Sequence, residues 1–252
     1  MTSRSQLSLA SGWVLTRAQP DADADAAALR AVGITARAVA CIERVALGWP
    51  DWRTAAQRQV VLISSPFSAT QLAQAWPTLP TPRPTVAAMA PLTALKLQEQ
   101  GIPVEIRAEG GVVALATALQ AWHQQHPGSL AVLYPTSDAG ARQPEQEQAL
   151  ALLRSFATVD RVPVYATRAP AGLDAALAAL EPGLGYVFMS PSAVENALAS
   201  FSRREQTLFA AAVACIGQST HRRFLELAVV PAPTHHSTFS AFLEALVREK
   251  TT

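Results

Sequence analysis

The sequence has 252 residues, half of them hydrophobic, which is enough material for more than one hydrophobic core. Charged residues make up 15% of the chain, and the formal net charge at pH 7 is +1, with no run of like charges. Nucleic-acid-binding proteins normally carry a clustered basic surface, so the charge pattern argues against that class of function.

Short apolar runs alternate with amphipathic stretches along the chain. The apolar runs predict β-strands at 13–16, 34–41, 60–64, 85–89, 103–107, 130–134, 185–189, 212–216 and 228–231. The amphipathic stretches predict helices at 22–32, 67–76, 91–100, 111–123, 144–156, 173–180, 194–201, 206–211, 220–227 and 237–248. Two further segments, 41–47 and 161–166, are predicted to be extended. Alternating strands and helices indicate an α/β fold class, with parallel sheets covered by helices on both faces.

The cysteines and histidines do not form a recognisable metal site. Cys41 and Cys215 lie in apolar strand-like runs, which favours buried thiols in a reducing compartment over a disulfide. None of the five histidines stands at a zinc-site spacing from these cysteines. The adjacent pair His235 and His236 is predicted to lie in an exposed loop. The sequence therefore predicts no metal site.

The N-terminal run LSLASGWVL (7–15) is too short to span a membrane, and no small-residue cleavage signal follows it. No later apolar run reaches the length of a transmembrane helix. We therefore expect a cytoplasmic protein without membrane association, and nothing in the sequence demands more than a monomer.

Two parts of the chain repeat each other. VVLISSPFSATQLAQAW (60–76) followed by VAAMAPLTALKL (86–97) matches GYVFMSPSAVENALASF (185–201) followed by VACIGQSTHRRF (213–224). In each copy a strand ends in Ser-Pro and leads into a helix, and a second strand leads into a helix with threonine near its start. The match pairs Ser65 with Ser190 and Thr93 with Thr220.

A serine before a proline suits the N-cap and first position of a helix, because proline has no N–H and a preset φ. Ser192 with Glu195 also fits a capping box. Capping alone explains each motif taken singly. The duplication, however, predicts helix N-termini at the carboxyl edges of two parallel sheets, where ligands bind in open α/β folds. Free N–H groups and the positive end of the helix dipole bind carboxylate or phosphate there.

The two halves of the protein are predicted to be interleaved. The first strand–helix–strand is too small to stand alone, and the C-terminal part lacks such a unit. We therefore expect a discontinuous domain of 1–41 and 168–252, with 48–160 inserted as a second, similar domain. The linker strands would be 42–47 and 161–167, with a cleft between the domains.

The chain resembles the uroporphyrinogen-III synthase family over nearly its whole length. The resemblance rests on VLTR (14–17), the two Ser-Pro units, the two threonine units and VPVYATRAP (162–170). It implies two α/β domains with a two-stranded linker, no metal or organic cofactor, and closure of hydroxymethylbilane to uroporphyrinogen III. That reaction loses water and inverts the last pyrrole ring. The substrate carries eight carboxylates, which suits a site rich in helix N-termini and hydroxyl groups.

The resemblance also implies roles for individual residues. Tyr165 matches a tyrosine thought to help the substrate hydroxyl leave as water, and a phenol is protonated at neutral pH and can donate that proton. Substrate contacts are implied or expected at Arg17, Ser65, Thr93, Ser190, Ser192, Gln218, Ser219 and Thr220. The family pattern is not matched at Ala90, where glycine is usual, and is only loosely matched at 133–142.

A second hypothesis explains the same helix starts. A non-catalytic two-domain sensor that closes on a small anion would use the Ser-Pro units equally well. Tyr165 and the paired threonines favour the synthase, and no DNA-binding or receiver module accompanies the repeat.

Overall fold

The structure is a computed structural model that describes residues 6–50, 59–79, 81–138, 144–203, 212–227 and 233–250. Its strands are β1 (Gly12–Leu15), β2 (Ala36–Ala38), β3 (Glu43–Ala46), β4 (Val60–Ile63), β5 (Thr85–Met89), β6 (Ile106–Ala108), β7 (Ala131–Ser137), β8 (Thr158–Arg168), β9 (Leu184–Phe188), β10 (Val213–Ile216) and β11 (Thr234–His236). Its helices are α1 (Asp21–Ala31), α2 (Pro66–Ala75), α3 (Leu92–Glu99), α4 (Val112–Gln125), α5 (Pro144–Arg154), α6 (Leu173–Ala178), α7 (Pro191–Arg203), α8 (Gln218–Glu226) and α9 (Phe239–Lys250). Short 3-10 helices occupy Gln6–Leu9 and Trp76–Thr78. None of these described helices has both the length and the apolar character needed to cross a membrane.

The chain forms two compact units. Unit 1 comprises residues 1–43 and 168–252, and unit 2 comprises residues 44–167. Strands β3 and β8, which contain the two crossings between the units, are neighbours in the sheet of unit 2. The backbone N–H of Leu47, just after β3, donates to the carbonyl of Val164 in β8 at 2.9 Å.

Unit 1 is built on a five-stranded sheet with the order β11-β10-β9-β1-β2, in which all neighbours are parallel. Successive residues of a strand point to opposite faces. Val14 and Tyr186 therefore pack with α6, α7 and α8, whereas Trp13 and Val187 pack with α1 and α9. The unit has three layers, with a hydrophobic core on each face of the sheet.

Unit 2 is built on a six-stranded sheet with the order β3-β8-β7-β4-β5-β6, and the strands from β8 to β6 are parallel. Val61 and Ile63 of β4 pack with α2 and α3, whereas Val60 and Leu62 pack with α4 and α5. This unit also has three layers. The α/β fold class and the parallel sheets predicted from the sequence are confirmed.

The two sheets share one strand order. When β4 is aligned with β9, the strands that precede the two Ser-Pro pairs, the strand order β8-β7-β4-β5-β6 of unit 2 corresponds to β2-β1-β9-β10-β11 of unit 1. Each strand of unit 1 therefore has an equivalent in unit 2, and β3 is the additional strand. The repeat read from the sequence thus extends to the whole sheet.

Some predicted elements differ from the observed ones. The predicted helix 206–211 and strand 228–231 lie outside the described residues. The prediction that His235 and His236 lie in a loop is wrong, because both belong to strand β11, where His235 is the partner of Cys215 in β10. As an edge strand, β11 is bonded on one side only, and polar side chains are common on such strands.

Candidate active site

The strand order of unit 2 reverses between β4 and β7. The chain continues from β4 to β5 and β6 on one side, and from β7 to β8 on the other. In open parallel sheets such a reversal leaves a crevice beyond the carboxyl ends of the two strands, and ligands bind there. Ser64 and Ser65 follow β4 at this edge, and residues 134–137 form the end of β7.

Ser65 is the N-cap of α2. Its backbone is extended (φ −141°, ψ 148°), and its Oγ accepts a hydrogen bond from the N–H of Ser68 at 3.1 Å, with Pro66 at the first helical position. The same hydroxyl donates to the Oγ of Ser68 at 2.9 Å. Ser68 is fully buried, and its own hydroxyl donates to the carbonyl of Pro135 in β7 at 3.4 Å. The serine predicted from the Ser-Pro motif is therefore held firmly at the carboxyl edge of the sheet.

Tyr165 is directed to this edge by a β-bulge. Strand β8 follows β7 in register as far as Thr136, and a shift then places Tyr165 opposite Ser137. Bulges commonly re-aim side chains beside functional sites. The half-buried Tyr165 donates its hydroxyl to the Oγ of Ser65 at 3.4 Å, and its ring centroid lies 4.9 Å from that of Phe67. The structure thus brings together two residues that the sequence placed 100 positions apart.

A second tyrosine lies under the same edge. Tyr134 is fully buried, donates to the Oε1 of Gln146 at 2.8 Å and is 3.4 Å from the Oγ of Ser64. Burial raises the pKa of Tyr134 to about 12, although the hydrogen bond with Ser64 and the charge of Arg161 act in the opposite direction. Tyr134 is therefore protonated at neutral pH and serves as a hydrogen-bonding group rather than as a base.

A cavity of about 440 Å³ adjoins Ser64. Its walls come from the residues after β4, the end of β5 and the starts of α4 and α5, namely Ser64, Met89, Gly110, Gly111, Val112, Val113, Glu145 and Gln146. Helix α4 begins after Gly111, which has a φ of +97° and provides no side chain to cap the first N–H groups. This crevice is of the size and position expected for a small-molecule site in an α/β unit.

The equivalent Ser-Pro junction in unit 1 is capped by Ser190, whose Oγ accepts from the N–H of Ala193 at 3.2 Å. Ser192 is the second residue of α7 and is half-buried. The predicted capping box of Ser192 with Glu195 is wrong, because the helix begins at Pro191, two residues earlier than that motif requires. Glu195 instead forms an ion pair with Arg223 of α8 at 2.7 Å.

The threonine helices differ in detail. Helix α8 follows Gly217, whose φ of +82° suits glycine, and begins with the exposed Gln218, the half-buried Ser219 and the buried Thr220. No side chain caps its first N–H groups. Thr93 is the second residue of α3 and is only 3% exposed. Both threonines therefore lie under a helix start rather than on its surface.

Arg17 follows β1 and is already paired. Its guanidinium donates to Asp21 at 3.0 Å and to Asp25 at 3.1 Å, both in α1. Burial raises the pKa of Asp25, and the Arg17 charge counteracts that rise. A carboxylate ligand would have to share this guanidinium with two side chains of the protein.

Several residues of the site were missed in the sequence. Ser64, Ser68, Tyr134 and Gln146 contribute to the hydrogen-bonded edge of unit 2, and only the S-x-x-S spacing of Ser65 and Ser68 hinted at one of them. Within the described residues, no group of three or more histidine, cysteine, aspartate or glutamate side chains could hold a metal ion. Burial raises the pKa of the free thiols of Cys41 and Cys215 to about 12.

Comparisons with known proteins agree with this layout. The model of the family described as uroporphyrinogen-III synthase HemD matches residues 23–243. A uroporphyrinogen III synthase variant from the extremely thermophilic bacterium Thermus thermophilus is similar in structure, with 17% identity, a TM-score of 0.59, and coverage of 95% of this chain and 99% of that chain. Uroporphyrinogen-III synthetase from Helicobacter pylori shares 13% identity and a TM-score of 0.63, with coverage of 96% of this chain and 99% of that chain. A search of curated protein sequences returned no match.

The structural similarities, at such low identity, support the fold. The family model, which spans most of the sequence, adds the function. The chain belongs to the uroporphyrinogen-III synthase family, the cyclising lyases of tetrapyrrole biosynthesis.

Proposed function

We propose that this chain closes linear hydroxymethylbilane to uroporphyrinogen III, with Tyr165 as the proton donor to the departing hydroxyl. The observation that carries the assignment of Tyr165 is its contact with the Oγ of Ser65 at the carboxyl edge of unit 2. The phenol lies where the strand order reverses, and family membership favours the synthase over the anion sensor.

The chemistry requires a hydroxyl to leave from a carbon atom as water. Tyr165 gives its proton to that hydroxyl as the carbon–oxygen bond breaks. Because the last pyrrole ring is inverted, the carbon that loses the hydroxyl bonds to the ring carbon that carried the bridge, and the bridge breaks from that carbon and re-attaches at the ring carbon that carried hydrogen. The proton lost from that second carbon returns the phenolate to phenol. Atoms balance as the loss of one water, and the steps use only groups of this protein and the substrate.

Two features of the Tyr165 environment support this role. The tilted ring contact with Phe67 holds the ring of Tyr165, while the 3.4 Å distance to Ser65 is long for an O–H···O hydrogen bond. The resting hydrogen bond is therefore weak, and the phenol exchanges it for the substrate at little cost. General-acid groups of this kind contribute about 10²- to 10⁴-fold to rates.

The starts of the helices supply groups for the substrate carboxylates. In unit 1 the uncapped start of α8, with Gln218, Ser219 and Thr220, offers free N–H groups and the positive end of the helix dipole. Ser190 and Ser192 stand at the start of α7. In unit 2 we assign the same role to Ser65 and to Thr93 of α3, and in unit 1 a secondary one to Arg17.

The test is turnover of hydroxymethylbilane with analysis of the product isomer, because unassisted closure gives isomer I. We expect isomer III from the wild-type protein and a loss of about a hundredfold or more in kcat for Tyr165→Phe. Tyr186→Phe is the matched control, because this tyrosine is buried in the core of unit 1. A wild-type product consisting of isomer I alone would refute the function, and an unchanged Tyr165→Phe rate would remove this residue from the mechanism.

A cytoplasmic location and a monomeric state belong to the same proposal. The buried free thiols of Cys41 and Cys215 are consistent with a reducing compartment. Sedimentation at enzyme concentrations used for turnover measures the oligomeric state, and a dimer that persists on dilution would contradict the monomer.

A further inference from the structure

We propose that Ser68 is a positioning residue for Tyr165, acting through Ser65 in a chain of three hydroxyl groups. The proposal rests on the proposed function, since it concerns the proton that Tyr165 donates. Ser68 itself is fully buried and does not touch the substrate.

The direction of each hydrogen bond follows from counting protons. The Oγ of Ser65 accepts from the N–H of Ser68 at 3.1 Å and from the hydroxyl of Tyr165 at 3.4 Å. A serine hydroxyl has two acceptor sites and one proton, so the proton of Ser65 is directed to the third neighbour, the Oγ of Ser68 at 2.9 Å. Ser68 in turn donates to the carbonyl of Pro135. Ser68 thereby keeps the proton of Ser65 away from Tyr165 and leaves an acceptor site facing the phenol.

The internal repeat shows that this hydroxyl is not needed for the fold. The position equivalent to Ser68 in unit 1 is Ala193, which is also fully buried and whose N–H is capped by Ser190 in the same way. Helix α7 is therefore capped without a hydroxyl at this position. The hydrogen bonds of the Ser68 hydroxyl offset the cost of burying it but add little stability over the alanine that fills the equivalent position, so the hydroxyl points to a role other than capping.

The arrangement changes when Tyr165 has given up its proton. The phenolate needs a donor, and the hydroxyl of Ser65 supplies one by rotating from Ser68 to the oxygen of Tyr165. Ser65 does not move, because its oxygen remains bonded to the N–H of Ser68, and the hydroxyl of Ser68 keeps Pro135 as its acceptor. No proton is transferred along the chain, and the proton released by ring closure restores the phenol.

The test is a double-mutant cycle of Ser68→Ala and Tyr165→Phe, measured as kcat and KM for isomer III. We expect Ser68→Ala to lower kcat about fivefold, the size of one ordinary hydrogen bond, because the proton of Ser65 then turns to the resting phenol and Tyr165 loses its acceptor; KM should be unchanged. In the Tyr165→Phe background, Ser68→Ala should have no further effect. Thr70→Ala is the control, because it removes from the same helix a hydroxyl that donates to the carbonyl of Pro66.

Each outcome is decisive. The proposal would be overturned if Ser68→Ala had the wild-type kcat. It would also be overturned if Ser68→Ala lowered kcat by the same factor in the wild-type and Tyr165→Phe backgrounds, because that result indicates a structural role. Ser68→Cys, which keeps the volume but is a weak hydrogen-bonding group, should behave like Ser68→Ala if the alanine variant is unstable. Isomer I alone from the wild-type protein would refute the proposed function itself, whereas isomer III with an unaffected Ser68→Ala variant would refute only this inference.

Discussion

Ser65→Ala and Ser190→Ala form a matched pair of variants at equivalent helix starts. The Oγ of Ser190 accepts one backbone hydrogen bond at 3.2 Å, so its removal should cost about 1 kcal/mol, the usual value of an N-cap. Ser65 makes the same cap and two further side-chain hydrogen bonds, at 2.9 and 3.4 Å. The longer one joins a half-buried phenol that water can also reach, so we count only the shorter one, at about 1 kcal/mol. Ser65→Ala should therefore cost about 2 kcal/mol.

The two variants lie in different units, so the assay must report on each unit separately. Native-state hydrogen exchange read by mass spectrometry does this, because amides of β4 report on unit 2 and amides of β9 on unit 1. We expect the opening free energy of β4 to fall by about 2 kcal/mol in Ser65→Ala, and that of β9 by about 1 kcal/mol in Ser190→Ala. Equal losses within about 0.3 kcal/mol would show that Ser65 acts as a cap and nothing more, and would refute the hydroxyl chain that joins it to Ser68.

Two further predictions concern the stability of unit 1. Gly185→Ala would place a Cβ 2.7 Å from the Cζ3 of the buried Trp13 and should lower the free energy of unfolding in urea by about 1–3 kcal/mol. Gly172→Ala is the control, because its Cβ meets open space and its free energy of unfolding should be unchanged. Equal effects of the two variants would contradict the close contact between Gly185 and Trp13. Burial, reinforced by the charge of His235, lowers the pKa of His236 from 6.5. As the pH falls below about 6.5 the unfolded chain therefore binds the proton first and the folded unit loses stability. His236→Gln should lose less thermal stability than the wild type on that acidification, and an equal loss would exclude His236 as the cause.

The local features of the site were readable in the sequence. Ser65 and Ser190 cap the helices that follow them because N-cap and first-turn preferences depend on a few consecutive residues. The same local reasoning failed for the capping box of Ser192, because two serines compete for one helix start and Pro191 fixes the first helical position. Glu195 was then free to pair with a residue that is distant in sequence, and no local pattern predicts such a partner.

The environment of Tyr165 was beyond sequence reasoning for a similar cause. Its direction depends on a register shift between β7 and β8, and the shift is visible only when both strands are paired. The alternation of buried and exposed residues along β8 does not by itself determine which residue of β7 lies opposite Tyr165. The contact with Ser65 depends in addition on the strand order that places β4 beside β7.

The two equivalent sheets differ in which positions carry hydroxyl groups. Val60 of β4 pairs with Val132 of β7, and the equivalent Gly185 of β9 pairs with Trp13 of β1. Val132 and Trp13 are therefore equivalent positions. Two residues further along these strands, Tyr134 of β7 is equivalent to Leu15 of β1.

Three positions at the carboxyl edge of unit 2 therefore carry hydroxyl groups where unit 1 has apolar side chains. The pairs are Ser64 with Met189, Ser68 with Ala193, and Tyr134 with Leu15. Four of these six side chains are fully buried, and apolar residues fill the equivalent space in unit 1 without penalty. Stability alone does not account for the hydroxyls, because each must find a hydrogen bond to offset its burial.

The capped helix starts are common to both units and suit the binding of carboxylates, whereas the hydroxyl groups around Tyr165 occur in unit 2. We therefore expect substitutions at these unit 2 positions to change kcat, and substitutions at the helix starts of unit 1 to change KM.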